Sequence, residues 1–88
     1  MQVFHYTIRD ELGIHARPAG LLVKEAMKFE SEVTLSSGDS SEKTGNAKRL
    51  FSVMGMAVKC GDRLTVTTEG EDEETASRAL LAFLEEHL

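Results

Sequence analysis

The stretch "GIHARPAG", residues 13 to 20, places a histidine, an arginine and the chain's only proline within four consecutive positions. Pro18 is tolerated in a helix only within the first turn, because its missing N–H has no intrahelical acceptor to lose there. A helix must therefore begin close to His15. If His15 is the N-cap, the N–H groups of Ala16 and Arg17 are free and point outward, where they can bind an anion.

The side chains of this predicted turn suit a phosphoryl group. Arg17 adds a forked cation, and a charge-assisted hydrogen bond contributes about 1.5–3 kcal/mol, against about 0.3–1 kcal/mol for the helix dipole. Imidazole is nucleophilic near neutral pH, so His15 can accept a phosphoryl group and, because an N-phosphoryl bond is labile, pass it on. A hydrolase would need a positioned water or a second acid–base group, and no Asp, Glu or His near the motif is placed for that role. From the spacing alone two interpretations stay open: a histidine that only caps a helix beside a solvated arginine, or a phosphoryl acceptor and donor.

The other histidines and the sulfur-containing residues are assigned no chemistry. His5 and His87 lack a neighbouring cation or a proline-fixed backbone. Three scattered histidines and one cysteine do not have zinc-ligand spacing, so we expect no metal site and no cofactor. Met54 and Met56 are predicted to fill the core, and Cys60 to pack as a small apolar residue.

Length and composition predict one small domain spanning residues 1–88, in the cytoplasm. No apolar run approaches the roughly 20 residues of a membrane span, and no secretory signal is apparent at the start of the sequence. The net charge of −5 argues against nonspecific binding to nucleic acid, which needs a basic surface. Basic residues nevertheless concentrate before residue 50, and acidic ones near the end, which favours a local positive face. These basic residues include Arg17, Lys24, Lys28, Lys43, Lys48 and Arg49.

Hydrophobic periodicity predicts the order strand, helix, strand, strand, helix, strand, helix. The strands are expected near 3–8, 31–36 and 62–68, with a weak one after the polar segment 36–43; the helices are expected from 16 to about 28, over about two turns ending at Gly55, and from 71 onward. The predicted core stripes are Ala19, Leu22, Val23, Ala26 and Met27; Ala47, Leu50, Phe51 and Met54; and Ala76, Ala79, Leu80, Phe83 and Leu84. Helices on one face of a small antiparallel sheet would bury every amphipathic element. Periodicity does not give the strand order.

Three motifs together resemble the HPr family, the histidine-containing phosphocarriers of the bacterial phosphoenolpyruvate-dependent sugar phosphotransferase system. They are "GIHARPA" after a first strand, a segment like "KRLFSVMGMAVKCGD", and "EGEDE" before the last helix. The resemblance covers essentially the whole chain. It implies an α+β open-faced β-sandwich, a four-stranded antiparallel sheet covered on one face by three helices.

The resemblance also implies a stoichiometric carrier that is not itself an enzyme. Enzyme I, charged by phosphoenolpyruvate, would phosphorylate His15 at Nδ1, and His15 would pass the group to IIA domains of sugar permeases. Arg17 would steady the phosphoryl group and Pro18 would fix the helix entrance. The residues implied in partner docking are Ala16, Gly20, Lys24, Lys48, Arg49, Leu50, Phe51 and Met54. We expect a monomer, and the sequence does not say which permeases it serves or whether it belongs to a nitrogen-regulatory branch.

Departures from the family pattern qualify these expectations. Arg49 stands where many relatives carry a regulatory serine, and Ser52 is not expected to replace that serine. Leu12 stands where a small polar residue is common, and the segment 36–43 is longer than usual, with no function assigned. The alternative function is a docking module of the same fold that controls a transcription regulator or an enzyme without phosphoryl transfer.

Overall fold

The computed structural model describes residues 1–38 and 43–88, and its elements follow the predicted order. The strands are β1 (Gln2–Thr7), β2 (Glu32–Ser37), β3 (Lys43–Asn46) and β4 (Arg63–Glu69). The helices are α1 (Ala16–Ala26), α2 (Leu50–Gly55) and α3 (Glu73–His87). The centre of the long polar segment predicted at 36–43 lies outside the described residues. Within the part of the chain that is described, no helix has the length and apolar character needed to cross a membrane.

The strands form one antiparallel sheet in the order β1-β4-β2-β3. The register places Phe4 of β1 and Leu35 of β2 on either side of Val66 in β4, so apolar positions share one face. On this face α3 contacts β1 and β4, while α1 packs between α3 and α2. The predicted open-faced sandwich is confirmed, and its strand order is the one that periodicity left open.

Apolar side chains of the sheet and of all three helices form one core. Full burial of a Leu or Val side chain contributes about 1.5–3 kcal/mol, so this cluster holds the helices on the sheet. Its fully buried large aliphatic members are Ile8, Leu22, Val33, Leu35, Val53, Leu64, Val66, Leu80 and Leu84. Ile14 also belongs to it, and thereby anchors the segment that leads into α1.

Two residues predicted in the core near the ends of elements are exposed. Met27 is 65% exposed because α1 ends at Ala26, two residues earlier than predicted, and Met27 is its C-cap. Cys60 is also exposed, and its Sγ lies 3.7 Å from the backbone oxygen of Arg9. The prediction that both pack inside was wrong. Met27 lies beyond the end of α1, and Cys60 lies in the connection between α2 and β4.

The short helix α2 buries a different stripe from the one predicted. Val53 is fully buried and Met54 is 39% exposed, since six residues form fewer than two turns and only one side of them meets the core. Met56 is buried as predicted, and its Sδ lies 2.7 Å from the position that a Cβ on Gly45 would take. The absence of a side chain at Gly45 therefore lets the end of α2 close onto β3.

The carboxylate of Asp72 joins the start of α3 to the chain entering β2. It accepts the hydroxyl of Ser31 and the N–H groups of Ser31 and Glu30, each N–H at 2.9 Å. The hydroxyl of Ser31 and then the N–H of Glu30 hold the pKa of Asp72 below its ordinary value of 3.8. These hydrogen bonds connect the start of α3 to the residues just before β2.

Candidate functional site

Helix α1 begins where the proline and histidine predicted it. His15 is the N-cap, with an extended backbone (φ −105°, ψ −176°), and its carbonyl oxygen accepts the N–H of Ala19 at 2.9 Å. Among the residues that the structure describes, the imidazole makes no capping hydrogen bond to the helix. The half-buried ring is therefore not used to hold α1, and its nitrogen atoms are available for chemistry.

The segment before His15 is fixed against the connection between α2 and β4. Gly13 has a φ of +67°, and a Cβ there would lie 2.4 Å from the carbonyl oxygen of Val58. The N–H of Ile14 donates to that same oxygen at 3.0 Å, and the Ile14 side chain is only 6% exposed. These contacts set the direction in which the chain enters α1 and so set the position of the imidazole.

The first turn of α1 has the charge of an anion-binding site. It contains Arg17 and, within the described residues 16–19, no acidic side chain, whereas the first turn of α3 contains Glu73 and Glu74. A cation at a helix N-terminus opposes the helix dipole, at a cost of about 0.3–1 kcal/mol. The free N–H groups of this turn and the guanidinium are all positively polarised, so they repel one another unless an anion binds between them. The sequence of α1 thus gives up helix stability at the place where a phosphoryl group would bind.

His15, Arg17 and Pro18 share a surface pocket of 270 Å³. The pocket is completed by Leu21 of α1 and by two titratable residues from elsewhere, Asp10 in the connection after β1 and His87 at the end of α3. Sequence reasoning did not select Asp10, and it assigned no chemistry to His87. Because His87 and His15 are brought together only by the packing of α1 on α3, no local sequence pattern predicts that they are neighbours.

Most residues expected to dock partners lie on one exposed surface where α1 meets α2. We call this the α1–α2 surface; it comprises Ala16, Gly20, Lys24, Arg49, Leu50, Phe51 and Met54. Phe51 is 88% exposed, and Leu50 and Met54 are 40% and 39% exposed. Leu50 and Met54 are therefore surface residues, although the sequence predicted that they would be divided between core and surface. Leu12 and Leu21 are also exposed large apolar side chains, which the periodicity did not identify as surface residues.

Lys48 differs from the other residues expected to dock partners. It is half-buried, and its Nζ donates to the backbone oxygen of Phe29 at 2.6 Å, just after α1. Its ammonium group therefore links the approach to α2 with the end of α1. Ser52 is likewise engaged, since its Oγ accepts the N–H of Asn46 at 2.8 Å, while Arg49 is the exposed N-cap of α2.

The comparisons with known proteins agree with this geometry. The family model described as "PTS HPr component phosphorylation site" matches residues 3–86. Phosphocarrier protein HPr of Mycoplasma pneumoniae is 41% identical over 87 residues, which cover 99% of this chain and 97% of that protein. The HPr-like protein Crh of Halalkalibacterium halodurans is 40% identical over 78 residues, 89% of each chain.

Solved structures give the same result. The histidine-containing phosphocarrier protein of Mycoplasma superposes with a TM-score of 0.90 at 39% identity, covering 97% of this chain and 93% of that one. The family match and the relatives extend across both the histidine turn and the α1–α2 surface. The chain therefore belongs to the HPr family of phosphocarrier proteins of the phosphotransferase system.

Proposed function

We propose that this protein is a stoichiometric phosphocarrier, which accepts a phosphoryl group from phosphorylated enzyme I on His15 and donates it to IIA domains of sugar permeases. The observation that supports it most is the first turn of α1, where the imidazole of His15 and the guanidinium of Arg17 line one pocket beside the first backbone N–H groups of the helix. Within the described residues of that turn there is no acidic side chain, and the pocket's one carboxylate, Asp10, comes from the connection after β1. The protein would act in the cytoplasm as one domain of residues 1–88 and as a monomer. It is not an enzyme in this proposal, because each transfer leaves it changed until the group is passed on.

The transfer step uses the imidazole of His15 as nucleophile. Unprotonated Nδ1 attacks the phosphorus atom held by enzyme I, a new N–P bond forms, and the bond from phosphorus to enzyme I breaks with its electron pair left on enzyme I. The guanidinium of Arg17 and the first N–H groups of α1 bind the phosphoryl oxygens and stabilise their charge during transfer. Donation to a IIA domain is the same displacement, with His15 as the leaving group.

Both partners would bind the α1–α2 surface, in turn. Phe51 offers the largest exposed apolar side chain of this surface, and exposed apolar side chains of this kind form the centres of interfaces. The exposed Lys24 and Arg49 give the same surface positive charge, which suits partners with acidic rims. Because enzyme I and a IIA domain would use the same residues, they would exclude each other and the carrier would have to dissociate between the two transfers.

The proposal is tested by incubating the protein with phosphoenolpyruvate and enzyme I and measuring its mass. The expected product is heavier by one phosphoryl group, about 80 Da, and the adduct is labile in acid and stable in alkali. His15→Ala abolishes the adduct, whereas His5→Gln, on the sheet face without helices, keeps it. A wild-type protein that stays unmodified beside an active enzyme I would refute the proposal.

A regulatory docking module is the second candidate, since the Crh protein, an HPr-like relative, is about as similar as the phosphocarriers. In that case the α1–α2 surface would act without chemistry at His15. A pull-down of partners with wild type and His15→Ala separates the two functions. If His15→Ala captures the same partners as wild type and still controls the captured regulator or enzyme, the docking module is favoured. If His15→Ala captures the partners but no longer has this effect on them, the phosphocarrier is favoured.

A further inference from the structure

The pocket beside His15 contains a second imidazole that the proposed transfer does not use. His87 lines this pocket from the last turn of α3, opposite the first turn of α1. Its ring stacks on Phe83 of the same helix, with ring centroids 4.4 Å apart and planes tilted by 33°. The stacking holds the His87 ring at the pocket, where a phosphoryl group on His15 would have to fit.

Charged side chains of both signs line the surface pockets to which His87 contributes. Asp10 shares the pocket, and the other charged groups that line surface pockets with His87 are Arg9, Arg17, Lys24, Glu25, Lys28, Glu85 and Glu86. With Asp10 included, four of these side chains are cationic and four are anionic. The main-chain oxygen of Leu88 accepts the N–H groups of Arg9 and Asp10. A phosphoryl group adds up to about two negative charges, so phosphorylation leaves the surroundings of the ring negative.

We infer that His87 is a second, pH-dependent cationic contact for the phosphoryl group on His15, an inference that rests on the proposed phosphocarrier function. The protonated ring donates to a phosphoryl oxygen, and it offsets the repulsion between that group and Asp10, which lines the same pocket. His87 does not attack or leave during transfer; it stabilises the phosphorylated state.

Thermodynamic linkage between protonation of His87 and phosphorylation of His15 gives the direction of the pH dependence. If the phosphoryl group raises the pKa of His87, the phosphorylated protein binds more protons than the free protein near that pKa. Phosphorylation of His15 is then more favourable at low pH, where the ring is charged, and the gain disappears as the pH rises above the raised pKa. A doubly charged group within about one Debye length, about 8 Å at physiological ionic strength, shifts a pKa by about half a unit to one unit.

The test is a pH titration of the ring signals of all three histidines by NMR, before and after phosphorylation by enzyme I and phosphoenolpyruvate. The pKa of His87 is expected to rise by about half a unit or more, while His5 is the internal control, because its Nδ1 is paired with Thr65 on the sheet face without helices. Phosphorylation with an unchanged pKa of His87 would overturn this inference alone. A protein that enzyme I does not phosphorylate would overturn the phosphocarrier function and this inference with it.

A second measurement follows the phosphorylation equilibrium with enzyme I at pH 6 and pH 8. Phosphorylation of the wild-type protein, relative to that of His87→Gln, is expected to be about two- to six-fold more favourable at pH 6 than at pH 8. His5→Gln should keep the wild-type dependence on pH. If His87→Gln and wild type have the same dependence, His87 does not contact the phosphoryl group.

Discussion

Gly13 is the position where one added methyl group should most disturb the entrance to α1. An alanine at its φ of +67° costs about 1–2 kcal/mol, because the left-handed region is unfavourable for residues with a Cβ. The new Cβ would lie 2.4 Å from Val58 O and 2.7 Å from Lys59 Cα, which are backbone atoms that cannot rotate away. Moving them apart also strains the bond from the Ile14 N–H to Val58 O, worth about 0.5–1.5 kcal/mol. Gly13→Ala should therefore lower the free energy of unfolding by about 1.5–3.5 kcal/mol.

Urea unfolding measures this loss, with Gly20→Ala as the matched control. Gly20 lies inside α1, and a Cβ there meets nothing within 4 Å, so its replacement should stabilise the protein by about 0.5–1 kcal/mol. For a domain of this size the thermal midpoint of Gly13→Ala should fall by about 10 °C or more. If Gly13→Ala unfolds at the wild-type urea concentration with the same slope, the account of how the chain enters α1 is incorrect.

Three further predictions separate packing, charge and docking. Leu22→Ala should destabilise the protein by about 2–5 kcal/mol in urea, whereas Leu21→Ala, at a position 39% exposed, should cost under about 1 kcal/mol; equal losses would contradict the assigned helix face. Asp72 has a lowered pKa, so its stabilising contribution is present above the ordinary value of 3.8 and is lost as the pH falls through the folded-state pKa. The difference in urea midpoint between wild type and Asp72→Asn should therefore shrink from pH 6 to pH 3, and a constant difference would rule this out. Phe51→Ala should leave stability within about 0.5 kcal/mol of wild type and weaken binding to enzyme I by ten-fold or more, measured by calorimetry; unchanged affinity would remove Phe51 from the interface.

Local chemistry explains which parts of the fold were predictable. Pro18 fixes a first turn by itself, so the start of α1 and the N-cap at His15 follow from four residues. Val33 and Leu35 alternate with polar neighbours, and both are buried in β2 as expected. Strand pairing is different, because β1 and β4 pair across about sixty residues and no local pattern records which strand is the neighbour.

The same distinction holds at the candidate site. The roles of His15 and Arg17 were suggested by their positions in one turn, and the structure places both at one pocket, whereas His87 reaches that pocket only through the packing of α3 on α1. Lys48 was expected on the docking surface from its charge, yet its ammonium donates to Phe29 O, a contact that composition does not reveal. In α2 the helical period alone gave the wrong stripe, since Met54 is exposed and Val53 is the residue buried.

The most direct test of the account follows one labelled phosphoryl group through the protein. The protein is charged with labelled phosphoenolpyruvate and enzyme I, purified, analysed for the labelled residue, and then mixed with a IIA domain. The account predicts label on Nδ1 of His15 only, and its loss from the carrier as it appears on the IIA domain. Label on another residue, or label that stays on His15 in the presence of a competent IIA domain, would contradict the claim that this imidazole carries a transferable phosphoryl group.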